Sequence, residues 1–100
     1  MAPGGATAEP RVFDLPVKGG RLPPNQALVR VRQGDEVTLR WTSDQGVALH
    51  LHGYDLEAKV APTAPAEMRF TARAAGRFPI EIHGAAGQHA TVGYLEVHPR

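Results

Sequence analysis

The 100-residue chain contains no cysteine. Disulfides, thiolate metal ligands and cysteine nucleophiles are therefore excluded. No apolar run approaches the roughly 20 residues that a membrane-spanning helix needs. An excess of either charge is also missing, with 11 basic against 10 acidic residues. The arginines that stand out, Arg30, Arg32 and Arg40, alternate with apolar residues, as on a solvated sheet face. Nothing here points to nucleic acid. The opening "MAPGGATAEP" has neither a basic n-region nor an apolar h-region, so no signal peptide is expected in it. A cytosolic protein and a mature exported domain with an added Met1 fit this start equally well. There is no activated-serine pattern, no glycine-rich phosphate loop and no carboxylate pair set for acid–base work, so an enzyme is not expected.

What remains is a pattern of strands. A length of 100 residues suits one domain with a single core. Residues 1–10 have little to bury and read as a flexible tail, with the domain at 11–100. "VFDLPV" (12–17) is a short apolar run. "ALVRVR" (27–32) alternates Val29 and Val31 against Arg30 and Arg32. "EVTLRWT" (36–42) sets Val37, Leu39 and Trp41 inward and Thr38, Arg40 and Thr42 outward. In "VALHLHGYDLE" (47–57), Val47, Leu49 and Leu51 share one parity; Ala48, His50, His52, Tyr54 and Leu56 share the other. A proline-broken connection (60–67) leads to strands at 68–73, 77–83 and 91–99. In the second of these, Pro79 shares the Glu81 and His83 face, which marks an edge position or a bulge. Seven short strands about ten residues apart predict an all-β antiparallel sandwich or barrel.

The order of "VRVRQGDEVTLRWTSD", a His-x-aromatic step, "FTARAAGRFPIEI" and a closing "GYLEV" resembles the cupredoxin fold. It resembles the copper-binding domain of cytochrome oxidase subunit two and its small exported relatives. The likeness covers residues 11–98 and implies a cupredoxin-like antiparallel Greek-key sandwich. It also implies a periplasmic or extracellular location. In copper cupredoxins one histidine comes from the middle strand; a cysteine, a second histidine and often a methionine come from the last loop. The resemblance places His52 at the first histidine and Ile82 at the cysteine. His89 or Gln88 falls at the second histidine, and Thr91 near the methionine. The missing thiolate excludes a blue copper centre and removes the covalent bond on which electron transfer in that family depends.

His50 and His52 stand two apart on an expected strand, about 6.6 Å along the chain on one face. Two imidazoles at that spacing can converge on one ion at about 2.0 Å from each nitrogen. With the cupredoxin topology, His50, His52, His83 and His89 are the expected metal ligands. Glu81 is then an acceptor behind them or a surface charge. The same residues read equally as structural or solvent-facing histidines. Tyr54 and Asp55 either orient the histidines or pack ordinarily, Trp41 belongs to the core, and His98 is structural or exposed. The expectation is a small module that holds copper through histidines, for sequestration or delivery outside the cytoplasm. Zinc or nickel would suit the same donors. The alternatives are a metal-free structural or interaction module and, third, a metal-dependent enzyme with an open coordination position. No protein partner is indicated.

Overall fold

The computed structural model describes residues 10–84, 87 and 89–100. The described residues form eight strands: β1 (Pro10–Val17), β2 (Leu28–Arg32), β3 (Glu36–Ser43), β4 (Val47–Leu51), β5 (Leu56–Val60), β6 (Ala66–Thr71), β7 (Gly76–Gly84) and β8 (His89–His98). A single 3-10 turn occupies Pro24–Gln26. The strands build a three-stranded sheet in the order β1-β3-β6 and a five-stranded sheet in the order β2-β8-β7-β4-β5. Of the expected tail, residues 1–9 lie outside the described residues, and Pro10 opens β1.

Alternation decides which face a side chain takes. Leu15 and Val17 of β1, Val37, Leu39 and Trp41 of β3 and Met68 of β6 are buried on the inner face of the smaller sheet. Opposite them lie Val29, Val31, Val47, Leu49, Leu51, Ala58, Val60, Ile80, Ile82, Leu95 and Val97 of the larger sheet. Each fully buried Val, Leu or Ile contributes roughly 1.5–3 kcal/mol relative to exposure, so this layer holds the sheets together. The expected faces of β2, β3 and β4 are all present.

Two expectations need correction. The pairings are not all antiparallel: β1 runs parallel to β3, and β2 parallel to β8. The other four pairings are antiparallel. Alternation is blind to strand direction, which the connections set. The chain leaves β1, crosses to the other sheet for β2 and returns as β3 beside β1, a route that yields a parallel pair. The second correction is β5, which the sequence pattern reads as a continuation of the preceding run. The chain reverses between His52 and Asp55, where Gly53 and Asp55 take φ of +88° and +56°. Glycine enters this left-handed region freely and aspartate more readily than most residues. A side chain on Gly53 would also collide with the Phe78 ring.

Beneath the turn between β2 and β3 lies Asp35, a fully buried carboxylate. It accepts the backbone N–H of Arg32 at 2.9 Å and a hydrogen bond from Arg100 Nη2. Arg11 Nε stands 3.5 Å from Oδ2, the oxygen that also accepts the Arg32 N–H, while Arg100 is on Oδ1. Gly93 of β8 sits so close to Ala27 that a methyl there would overlap the Ala27 carbonyl oxygen. That oxygen accepts the Tyr94 N–H at 2.8 Å. Gly93→Ala is therefore expected to lower unfolding free energy by about 1–3 kcal/mol. Denaturant midpoints with an unchanged m-value measure it, and an unmoved midpoint would refute the close approach.

Candidate metal centre

The histidines face outward because their neighbours face inward. Leu49 and Leu51 of β4 and Ile80 and Ile82 of β7 are core residues, so His50, Glu81 and His83 must project from the outer face of the larger sheet. Register places His50 beside Glu81 and Ala48 beside His83. On β8, Leu95 and Val97 are buried, so strict alternation would turn Thr91 and His89 inward with them. An irregularity prevents this. Ile80 pairs with Gly93 but Glu81 pairs with Thr91, leaving Val92 as an extra residue. This bulge reverses the parity and brings His89 beside His83 on the outer face. It lies next to Pro79, where the sequence allowed a bulge or an edge; β7 is interior, between β8 and β4.

His52 does not lie on the strand as expected. β4 ends at Leu51, and His52 opens the turn, its backbone N–H donating to the Pro79 carbonyl at 3.0 Å. Its ring nevertheless meets His50. His50 Nδ1 and His52 Nε2 are 3.3 Å apart, with the rings edge to face at 4.3 Å between centroids. His52 Nε2 is also 3.0 Å from Glu81 Oε1, and His50 Nε2 is 3.6 Å from Asp55 Oδ1. The network assigns the proton of His52 to Nε2, donated to Glu81. The lone pair of His50 then lies on Nδ1, with its N–H toward Asp55. His83 and His89 form a second edge-to-face pair, also at 4.3 Å. His50, Asp55, Glu57 and His83 line a shallow groove of about 550 Å³ that links the two pairs.

The four expected ligands thus share one face as two contacting pairs, with Glu81 beside the first. Two nitrogens bound to one metal at about 2.0 Å with a tetrahedral angle stand roughly 3.3 Å apart, the spacing of the His50–His52 pair. Among the described residues, no group of three or more His, Asp or Glu side chains is gathered closely enough to hold a metal ion as placed. A bound ion would therefore draw in a third donor by side-chain rotation. The donors nearest to hand are Glu81 at the first pair, and His83, Asp55 and Glu57 around the groove. Glu57 was not among the expected residues, because β5 is not legible as a strand.

The hydrogen bond from His52 is the main reason the Glu81 carboxyl titrates below its ordinary value of 4.5. Desolvation opposes this, and positive charge on His52, His83 and His89 adds to it. A depressed folded-state pKa contributes stability that is complete above the unfolded value and is lost as pH falls through the folded one. In metal-free protein, Glu81→Gln should flatten the loss of stability as pH drops below about 4.5. Urea midpoints of the two proteins across that range test this; parallel curves would contradict it.

Other expected residues fall elsewhere. Tyr54 does not orient the histidines. Its hydroxyl donates to the Ala74 carbonyl at 2.8 Å and accepts the Ala74 N–H at 3.1 Å, and its ring packs on Phe70 and Phe78. His98 is exposed and contacts Glu96 at 2.9 Å. Ile82 is buried in the core, and Trp41 is fully buried. Gln88 lies outside the described residues. Among the described residues no helix is long and apolar enough to cross a membrane.

This arrangement of sheets is shared with solved copper proteins. A chain of a heme-copper terminal oxidase dimer superposes with a TM-score of 0.70 at 16% identity, over 88% of this chain and 65% of that one. The blue copper oxidase of Nitrosomonas europaea gives 0.66 at 23% identity, over 92% and 40%. A copper binding protein solved by NMR in its apo form gives 0.65 at 15% identity, over 94% of this chain and 100% of that one. The fold is cupredoxin-like. No family model matches the sequence, and no curated protein matches it. The chain spans less than two thirds of the two oxidase chains and the whole of the small copper binding protein.

Proposed function

We propose that this domain binds copper(II) on the outer face of its five-stranded sheet, through imidazoles and without a thiolate. The observation that carries the proposal is the His50–His52 pair, whose facing nitrogens have the spacing of two donors on one ion once the proton of His52 is carried on Nδ1. His83 and His89 supply further imidazoles on the same face, and Asp55, Glu57 and Glu81 place negative charge around it. Neutral imidazole suits Cu(II), with Zn(II) and Ni(II) as competitors, and suits Cu(I) less well than sulfur would. The likeness to copper proteins, one of them a stand-alone module of the same extent, favours copper among these. The role that fits is sequestration or delivery outside the cytoplasm, by exchange from an exposed sheet face. Catalysis is not part of the proposal.

Electron paramagnetic resonance of stripped protein given one equivalent of Cu(II) tests the proposal. The expected spectrum shows coupling to at least two imidazole nitrogens and is lost in a His50→Ala/His52→Ala variant. The spectrum of free or buffer-bound copper would end it.

One observation favours a second reading. Ile82 closes the core where the resemblance puts the cysteine. The domain would then be a metal-free interaction module. Its stability would be indifferent to every divalent metal.

A further inference from the structure

A second cluster lies away from the histidine pairs. Arg11, Arg30, Arg32, His98 and Arg100, with Pro99, line an open groove of about 540 Å³. They come from β1, β2, the end of β8 and the residues beyond it. Four guanidiniums meet two side-chain carboxylates here, Asp35 and Glu96. The carboxylates hold the arginines from behind. Asp35, wholly buried, contacts Arg11 Nε and Arg100 Nη2, residues from distant parts of the chain. Arg100 Nε also donates to the Gln33 carbonyl at 2.8 Å. Glu96 lies 3.5 Å from Arg30 Nε and 2.9 Å from His98 Nε2. Arg32 has no ion pair among the described residues.

Each guanidinium carries five N–H donors, and these contacts occupy only one or two of them on each paired arginine. The ordering of Arg11 and Arg100 is already accomplished by a buried anion, so a ligand need not supply it. Arg11 and Arg100, held on the two oxygens of one carboxylate, keep their remaining planar N–H donors for oxygens on tetrahedral or planar acid groups, where paired hydrogen bonds form.

From this geometry we infer a binding site for a small dianion or polyanion carrying two neighbouring oxyanion groups, phosphate or carboxylate. The site is independent of the copper proposal. It accounts for the outward arginines of β2, which no expected function absorbs. Its arginines are always protonated and are not copper ligands.

The experiment is an amide-shift titration of metal-free, full-length protein with pyrophosphate at about 50 mM salt, low enough that screening is modest. Malonate serves as the dicarboxylate arm and orthophosphate as the single-group arm. Saturable shifts confined to residues around Arg11, Arg30, Arg32, His98 and Arg100 are expected. Arg30→Gln/Arg32→Gln should weaken pyrophosphate binding about tenfold or more, since each lost charge-assisted pair is worth that order. Arg40→Gln/Arg69→Gln, on the opposite sheet, should leave it unchanged. Stronger binding of pyrophosphate than malonate identifies phosphate as the group recognised, and the reverse order identifies carboxylate. Shifts that do not saturate, or equal weakening by both pairs of substitutions, would overturn the site and leave only diffuse attraction. Amide spectra of each variant check folding independently.

Discussion

Replacing Asp35 by alanine is expected to lower unfolding free energy by about 3 kcal/mol, the order seen when one partner is removed from a buried charged network. The carboxylate is fully buried, and its contacts include three that join otherwise separate parts of the chain. They are the Arg32 N–H of the β2–β3 turn, Arg11 of β1 in the smaller sheet, and Arg100 beyond β8 in the larger. Its removal leaves the part-buried Arg32 N–H without its acceptor and a cavity where the carboxylate stood. The two arginines are partly exposed, so water compensates them, and this keeps the cost from rising further. For a domain of this size each kcal/mol moves Tm by roughly 4–8 °C, so a fall of about 12–24 °C should appear in a melt. Arg100→Ala, which leaves Asp35 its backbone partner and Arg11, should cost less. Equal costs would mean that the arginine, not the buried carboxylate, organises the junction.

The second large effect concerns copper. His50→Ala/His52→Ala should reduce Cu(II) affinity about a hundredfold or more, since loss of groups behind a metal ligand alone costs 10–100-fold. Metal-free stability should change by less than about 1 kcal/mol, because both side chains are only partly buried and their ion pairs face water. His83→Ala/His89→Ala should weaken binding less, since those rings join the first pair only across the groove. Competition titration against a chelator of known affinity measures both. If the second pair of substitutions proved the more damaging, the ion would sit at the β7–β8 end of the face instead.

The sequence made the layers legible because a strand's period of two is visible in its residues. Val37, Leu39 and Trp41 were assigned inward and are buried; Arg30 and Arg32 were assigned outward and are exposed. The same rule put His50 and His83 each opposite the apolar parity of its own strand, and the resemblance brought them together. It could not show that the face carries two pairs, because pair membership depends on register between β4, β7 and β8. Nor could it foresee the extra residue at Val92, without which His89 would point into the core. Pro79 was the only trace of that bulge. The turn at Gly53 and Asp55 was hidden because "LHLHGYDLE" keeps an alternating pattern through the reversal. With it went β5 and the Glu57 side of the groove. The resemblance supplied topology that alternation could not, and its cysteine position falls on Ile82, a core residue.

The most direct test of the central claim is a thermal melt of chelator-stripped protein at pH 7.5, with and without a slight excess of Cu(II), Zn(II) and Ni(II). A ligand that binds only the folded chain stabilises it by about 2.7 kcal/mol at a hundredfold excess over Kd. The account predicts a rise in Tm, largest with copper, that disappears below about pH 5.5 as the imidazoles protonate and release the metal. A Tm that no metal moves at pH 7.5 would contradict it and leave the metal-free module as the reading that stands.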